Sequence, residues 1–318
     1  MTTSTPVAAV PVPGTDPVAT AKGRPRSLAS SAKKSLTSRT GSAVAIIIAI
    51  LWTLPTFGLF LSSFRPEEAI KTTGWWTFFR DPQLTLANYQ EVLFGSASSG
   101  QLAGFFVNSL MIVIPGVILP VTLATLAAYA FSWMHFKGRD WLFVVVFALQ
   151  IVPLQMALIP LLRIFSSDTF DPILEYVPYL SLWLAHTAFA LPLAIFLLHN
   201  FISEVPGELI EAARVDGAGH VRIFRSIMLP LLVPAIASLV IFQFLWVWND
   251  LLVGLTFAGG TDEVAPITVR LAELAGTRGN EWQRLTAGAF VSLVIPLVVF
   301  LSLQRYFVRG LLAGSVKG

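Results

Sequence analysis

The sequence predicts an all-α integral membrane protein with six transmembrane helices and a polar helix–turn–helix on its cytoplasmic side. Of its residues, 55% are hydrophobic and 12% are charged, whereas soluble domains have roughly a quarter charged residues. Six apolar runs are long enough to cross a bilayer, which takes about 20 residues. Lys and Arg are also unevenly shared between the segments that join these runs, as the positive-inside rule requires.

The predicted elements follow in a simple order. Residues 1–41 are rich in Ser, Thr, Pro and Ala with six basic residues, so we expect a disordered basic cytoplasmic arm. The next run is too long for a cleaved signal peptide and lacks an A-x-A site, which favours an uncleaved anchor. An extracytoplasmic segment, 65–101, follows it. The six predicted spans are 42–64, 102–134, 141–165, 177–201, 231–257 and 285–306.

Orientation follows from the basic residues. With the N-terminus inside, fourteen of the 21 Lys and Arg fall in cytoplasmic segments and seven in external ones. This two-to-one ratio predicts that both termini and the polar segment 203–230 are cytoplasmic. The small positive net charge is explained by this topology, and it requires no nucleic-acid partner.

Composition also excludes several kinds of chemistry. The absence of cysteine excludes disulfides and thiolate sites, and the four histidines have no metal-ligand spacing. The sequence contains no Gly-Lys pair, so it has no Walker A phosphate-binding loop. Energy for transport must then come from another protein.

The predicted spans are almost free of charge, which argues against ion coupling and favours a neutral solute. Neutral polar side chains in or beside the spans are the candidates for a solute path, although each can equally bond a neighbouring helix. They are Asn108, Gln150, Gln155, Gln243 and Asn249.

The polar segment 203–230 predicts two short helices joined by a sharp turn. Pro206 is suited to open the first helix, and Glu211 lies near its positive N-terminal half. Gly217 and Gly219 are expected to turn the chain with φ > 0. Pro230 is expected to close the second helix at the edge of the next apolar run. We call this segment the elbow. On it, Leu209, Ala212 and Ala213 are predicted to share one narrow face that suits docking to a partner.

The elbow resembles the EAA loop of bacterial ABC-importer permeases. Glu211-Ala212-Ala213 is followed after three residues by Gly217, and nine further residues lead to Ile227-Met228-Leu229-Pro230. The resemblance implies a coupling helix that docks in a cleft of an ATPase subunit. The residues it assigns to coupling are Glu208, Glu211, Ala212, Ala213, Asp216, Gly217, Ile227, Leu229 and Pro230.

Similarity extends from about residue 104 to the end of the chain, with a core domain at 104–306 and a cytoplasmic tail at 307–318. Phe106-Val107-Asn108-Ser109, Trp248-Asn249-Asp250 and the tail resemble the shorter permease subunit of maltose-type sugar importers, and more weakly alpha-glucoside permeases. Leu312-Ala313-Gly314 departs slightly from the Thr-Ala-Gly often found there.

The resemblance implies a type I ABC importer permease in the bacterial cytoplasmic membrane. It implies a second, different permease subunit, two ATP-binding-cassette subunits that hydrolyse ATP with Mg, and an extracytoplasmic solute-binding protein. The chain itself would bind no cofactor. The tail residues Arg309, Gly310 and Lys317 would reach the ATPases. The external loop with Gly259, Gly260, Asp262 and Glu263 would meet the binding protein.

Two questions stay open at this point. Trp248-Asn249-Asp250 fits either an aromatic belt with a polar cap at the membrane interface or a gate or helix-packing lock. A neutral sugar or oligosaccharide is the favoured solute, with alpha-glucosides as the narrower candidate. Another small solute is the main alternative. A channel or ion-coupled carrier would not require the elbow, and a membrane enzyme would need clustered His, Asp or Glu, whereas the acidic residues here are scattered in loops.

Overall fold

The computed structural model describes residues 39–95, 101–258, 262–276 and 280–315, and all regular structure in these residues is helical. The chain divides into two compact units, Met1–Thr56 and Phe57–Gly318. The described part of the first unit is helical from Arg39 onward.

In chain order the helices alternate between long spans and short connecting elements. They are α1 (Arg39–Ser63), α2 (Glu67–Thr72), a 3₁₀ helix (Trp75–Phe79), α3 (Ala87–Phe94), α4 (Leu102–Trp133), α5 (Arg139–Leu149), α6 (Leu154–Phe165), α7 (Asp171–Tyr176), α8 (Leu180–Ser203), α9 (Gly207–Val215), α10 (His220–Trp248), α11 (Leu252–Phe257), α12 (Ile267–Gly276) and α13 (Trp282–Ser315).

Five helices within the described ranges are long and apolar enough to span a membrane: α1, α4, α8, α10 and α13. The predicted third span, 141–165, is wrong as a single helix, because α5 and α6 meet at an angle of 102°. Pro153 explains the break, since proline lacks an N–H and disfavours helical backbone at the residue before it. The amides of Gln150, Ile151 and Val152 instead close tighter bonds to carbonyls three residues back.

The core of the second unit lies around α4, which packs along α8 and against α10, while α13 packs on α10. Small buried residues of α4, such as Ala124 and Ala128, allow close approach of the neighbouring helices. At Gly116 an added Cβ would lie 3.4 Å from Val247 on α10. The helices therefore meet over small side chains, as is usual for packing in lipid.

Among the prolines inside the spans, three (Pro115, Pro120 and Pro296) leave a carbonyl that accepts a hydrogen bond from a side chain of another helix. A proline at position i leaves the carbonyl at i−4 without its helical N–H partner. Pro115 frees the carbonyl of Met111, which accepts from Trp183 Nε1 at 2.9 Å. Each such bond ties two helices together at a point of local weakness.

The other two cases follow the same rule. Pro120 frees the carbonyl of Gly116, which accepts from Gln243 Nε2 at 3.1 Å. Pro296 frees the carbonyl of Ser292, which accepts from Trp248 Nε1 at 3.1 Å. In hydrocarbon an unsatisfied carbonyl is costly, so these three side-chain hydrogen bonds, here called latches, stabilise the proline-containing helices.

A second hydrophobic cluster surrounds the N-terminal end of α4. It joins the external segment to the loop before α13 through buried apolar residues, including Val92, Leu102, Phe105 and Ile267. Arg284 of α13 pairs with Glu91 of α3 and, at 2.9 Å, with Glu281. The external segment is therefore packed onto the core.

Candidate coupling elbow and solute path

The first helix of the elbow, α9, begins directly after Pro206, as the sequence predicts. Glu208 lies in its first turn and Arg214 in its last, an arrangement that favours the helix dipole at both ends. Glu208 and Glu211 are both exposed. The helix therefore carries two carboxylates on its exposed surface.

Gly217 ends α9 with a left-handed backbone at φ +77°, which confirms the predicted positive φ. The Gly217 amide donates to the carbonyl of Arg214 at 3.0 Å, and the Ala218 amide donates to that of Ala213 at 2.9 Å. These two bonds form a Schellman motif, which satisfies the last carbonyls of the helix. The expectation for Gly219 is wrong, because its φ is −79° and its backbone is extended.

The second helix of the elbow does not end at Pro230, which corrects the sequence-based expectation. His220–Ile223, Phe224–Met228 and Leu229–Trp248 continue as a single helix, α10. The middle stretch is a π-helix, in which the Leu229 amide bonds to the carbonyl of Phe224. A wider turn relieves the clash between the proline ring and the preceding turn. The elbow is thus directly continuous with a span.

Core-facing residues fix the elbow to the C-terminal end of α4. Ile210 is fully buried in the core, and Arg214 Nη2 donates to the carbonyl of Trp133 at 3.4 Å. The hydroxyl of Tyr129 lies 3.1 Å from His220 Nδ1, and the two rings meet edge-on. Sequence reasoning missed these contacts, although Tyr129 and Trp133 one turn apart at the end of a span are typical of an anchored interface.

The outward face of the elbow is both apolar and charged. Leu209 and Val215 are 47% and 88% exposed, and Ala212 is exposed beside them. The predicted common face is only partly correct, because Ala213 is half-buried and packs against the core. Of the remaining predicted coupling residues, Asp216, Leu229 and Pro230 are exposed and Ile227 is half-buried.

The candidates for the solute path do not form one cluster. Asn108 is buried near the outer end of α4, where its Nδ2 donates to the carbonyls of Asp262 and Ala265 at 3.2 and 3.1 Å. The Tyr179 hydroxyl donates to its Oδ1 at 2.7 Å. Ser109 beside it accepts the Ile267 amide at 2.8 Å. This pair of residues therefore holds the loop before α12.

The other candidates occupy three different places. Gln150 and Gln155 are exposed on either side of the break between α5 and α6. Asn249 is exposed and donates to the carbonyl of Leu245 at 2.8 Å. Gln243, besides its bond to α4, lines a cleft of about 360 Å³ between α8 and α10. Apart from Gln243 and Ser238, the residues that line this cleft are apolar.

Trp248 and Asp250 favour the helix-packing lock over the interfacial belt. Trp248 is 3% exposed, stacks on Phe244 and donates to α13 as described above. Asp250 Oδ2 accepts the amides of Val253 and Gly254 at 2.9 and 3.1 Å, and so caps α11. Burial raises the pKa of the Asp250 carboxyl, while its backbone hydrogen bonds oppose that rise.

Other predicted contact residues lie at or beyond the edge of the described ranges. Asp262 and Glu263 are exposed in the loop before α12, whereas Gly259 and Gly260 lie outside the described residues. Arg309 and Gly310 belong to the last turns of α13, and Lys317 lies outside the described residues. Among the described residues, no cluster of His, Asp or Glu could hold a metal ion.

Fold and site together define a multi-span helical transport subunit with an exposed docking elbow. The family described as "Binding-protein-dependent transport system inner membrane component" matches residues 120–312, and the chain belongs to this family. The predicted identity as an ABC-importer permease, a transport component without its own ATPase site, is thereby confirmed.

Relatives and solved structures agree with this assignment. The chain is 53% identical to the osmoprotective compounds uptake permease protein GgtD of Synechocystis sp., over 86% of this chain and 91% of that protein. It is 51% identical to the alpha-glucoside transport system permease protein AglG of Rhizobium meliloti, over 74% of this chain and 61% of that protein.

The fold matches a chain of a bacterial ABC transporter involved in the import of the acidic polysaccharide alginate. The TM-score is 0.64 at 18% identity, over 90% of this chain and all of that chain. The predicted type I ABC importer permease fold is confirmed by this likeness.

Proposed function

We propose that this chain is one of two different permease subunits that together translocate a neutral sugar or oligosaccharide. An extracytoplasmic binding protein delivers the solute, and two separate subunits hydrolyse ATP with Mg. Both termini and the elbow face the cytoplasm. The observation that supports this proposal best is the elbow itself, which is fixed to α4 on its inner side and leaves carboxylates and apolar side chains exposed on its outer side.

Coupling to the ATPase is proposed to depend on the exposed side chain of Glu211 and on the turn at Gly217. A carboxylate on a docking helix can pair with a basic side chain of the ATPase. Truncating one partner of a partly buried, hydrogen-bonded pair costs roughly 2–5 kcal/mol. A freely exposed pair would cost less than about 1 kcal/mol.

The turn at Gly217 acts differently from a charge. No heavy atom lies within 4 Å of the position that a Cβ would occupy, so a side chain meets open space. Its left-handed backbone alone disfavours substitution, by roughly 1–2 kcal/mol for most residues and less for Asn. Gly217→Val is therefore expected to re-aim the start of α10, whereas Gly217→Asn is the matched control.

The experiment measures solute-stimulated ATP hydrolysis and ATPase capture for the assembled transporter in vesicles. Glu211→Ala and Gly217→Val should both lower stimulation, with the valine variant worse, while Gly217→Asn stays near wild type. Glu175→Ala, an exposed carboxylate in α7, controls for the loss of any surface charge. Wild-type stimulation in both coupling variants at normal assembly would remove the support for this role of the elbow.

We propose alpha-glucosides as the narrower substrate class, because the spans carry little charge and AglG is named for alpha-glucoside transport. Osmoprotective compounds are a second candidate, since GgtD is named for their uptake. Deletion of the gene should abolish uptake of a labelled alpha-glucoside and growth on it. If uptake persists and only growth at high salt with added osmoprotectant is lost, the second class replaces the first.

The cleft between α8 and α10 is the proposed place where the solute passes this subunit, with Gln243 as its main polar group. Asn108 is proposed to act at the outer mouth by holding the loop that includes Asp262. That loop and the tail residues Arg309, Gly310 and Lys317 remain proposed contacts of the binding protein and the ATPases. Gln150, Gln155 and Asn249 remain candidates for solute contact.

A further inference from the structure

The external segment contains an aromatic surface that folds back beside the first span. The 3₁₀ helix Trp75–Phe79 places the indole of Trp75 against Gly58 of α1, where an added Cβ would lie 2.6 Å from Nε1. The ring of Phe57 meets the same indole edge-on at 6.2 Å. Gly58 lies five residues before the end of α1, about 7.5 Å along the axis at 1.5 Å per residue.

This geometry sets the depth of the segment relative to the membrane. The headgroup layer adds about 5–7 Å on each side of the hydrocarbon core, so we expect a side chain that packs about 7.5 Å before the end of a span to lie at the level of the headgroups. Two further aromatic residues of this helix, Trp76 and Phe79, face outward from there. Trp76 and Phe79 are three residues apart, so they eclipse on one side of a 3₁₀ helix. They are 64% and 70% exposed.

The opposite side of the segment is polar and tightly held. Arg65 is 4% exposed, and its Nη2 donates to the Ala69 carbonyl and to the Thr77 hydroxyl, both at 3.1 Å. The Arg65 carbonyl in turn accepts from Asn88 at 2.8 Å. Arg65, Thr77 and Arg80 also help to line a polar cleft of about 380 Å³. The segment therefore has one polar and one aromatic face.

Two glycines make the arrangement possible. Besides the notch at Gly58, a Cβ at Gly74 would lie 2.3 Å from the indole of Trp76. Only glycine lets the Trp76 ring fold across the backbone there. Because the segment is fixed by Arg65 on one side and by these notches on the other, its aromatic face is ordered before it meets any partner.

We propose that Trp76 and Phe79 form an interfacial anchor that inserts into the headgroup layer of the extracytoplasmic leaflet. Tryptophan and tyrosine concentrate at this layer, and short elements with one apolar and one charged face lie flat in it. Lipid is the occupant that the geometry favours, because Trp75 packs on the last turns of α1, where the apolar side chains of Phe57, Leu59 and Phe60 are themselves 40–42% exposed. The anchor fixes the outer end of α1, and it does not depend on which solute is transported.

The test uses single cysteines, which the chain otherwise lacks, as sites for nitroxide labels. Trp76→Cys and Phe79→Cys report on the aromatic face, and the exposed Gln83→Cys beside the polar cleft is the matched control. The assembled transporter, with any partner cysteines replaced, is placed in nanodiscs of phosphatidylethanolamine and phosphatidylglycerol. Collisions of each nitroxide with oxygen, which dissolves in lipid, and with a water-soluble nickel chelate are then measured.

We expect a higher ratio of oxygen to nickel collisions at both aromatic positions than at the control. This ratio should not change when the binding protein is added. A nitroxide that is immobile and shielded from both reagents would indicate a subunit contact and overturn the proposal. Free collision with nickel would place the face in water and also overturn it. Solute-stimulated ATP hydrolysis, measured on the same samples, separates failure of the anchor from failure of the proposed transport function.

Discussion

Replacing Gln243 by leucine tests whether its amide supplies the hydrogen-bond donor that Pro120 removes from α4. The Gln243 Nε2 atom lies 3.1 Å from the Gly116 carbonyl oxygen, a normal hydrogen-bond length, and Gln243 and Gly116 are both buried. A buried carbonyl left without a partner costs about 1–3 kcal/mol. Side-chain hydrogen bonds between membrane helices average about 0.6 kcal/mol, with a maximum near 1.7. We therefore expect Gln243→Leu to lower the unfolding free energy by about 1–2 kcal/mol.

Pro120→Ala provides the second side of a double-mutant cycle. An alanine at position 120 restores a backbone N–H, which can donate to the Gly116 carbonyl within α4. Leucine at position 243 should then cost about 1 kcal/mol less than it does beside the proline, because the carbonyl keeps a partner. Gln155→Leu, which changes an exposed glutamine of α6, should cost no more than about 0.5 kcal/mol.

The unfolding free energies of the four proteins are compared by denaturant titration of the assembled transporter in one detergent. The quantity of interest is the coupling between the two changes, which is independent of any cavity that either change creates alone. Additivity within about 0.3–0.5 kcal/mol would refute the latch, since independent sites behave in that way. The Gln243 amide would then be only a polar group that lines the cleft between α8 and α10, and would not replace the donor that Pro120 lacks.

Three further predictions follow from the same contacts. Trp248→Phe should lower the unfolding free energy by about 1–2 kcal/mol, because it loses the hydrogen bond to α13. The control Trp246→Phe, at an exposed position, should lower it by less than about 0.5 kcal/mol. A similar cost for both variants would contradict the helix-packing lock. Because burial raises the pKa of Asp250 in the folded state above its usual 3.8, its contribution to stability is present below that value and is lost as the pH rises through the raised pKa. Asp250→Asn should remove this loss in stability measurements across the acidic range, and an unchanged pH profile would refute it. Single cysteines in place of Thr37 and Asp262 should react with an impermeant thiol reagent only from the inside and the outside, respectively, and labelling of the first in intact cells would overturn the orientation.

Local chemistry made much of the fold predictable. The lengths of the apolar runs predicted the bounds of the five continuous spans to within a few residues, except for α10. The predicted span 231–257 corresponds to a helix from His220 to Trp248, whose two ends depend on neighbouring structure. Gly217 was predicted because few residues other than glycine adopt a left-handed backbone at low cost. Pro153 in the same way predicts a break in the helix, but the break was not predicted because the apolar run continues across it.

The site was less predictable, because its decisive contacts are distant in sequence. The sequence places Gln243 in an apolar run but does not show that it reaches Gly116, 127 residues away. A rule was available in part: each proline inside a span frees a carbonyl four residues earlier, and a polar or indole N–H must be found for it. That rule predicts that latches exist, while only the packing of the helices decides which side chain supplies the donor.

The latches bear on how the two ends of the molecule communicate. Helix α4 contacts the elbow at its C-terminal end through Tyr129 and Trp133, and it holds the loop before α12 at its N-terminal end through Asn108. A straight helix of 32 residues would transmit a displacement along about 48 Å as a rigid rod. Its two prolines instead remove two of its backbone hydrogen bonds, and each missing bond is replaced by one side-chain hydrogen bond from another helix. Such a bond has a small free energy, so we expect a change in the bend of α4 at either proline to cost only a few kcal/mol, as a two-state element requires. If the latch at Gln243 sets this balance, its loss should change ATP hydrolysis without solute as well as stability, a combination that simple destabilisation does not produce.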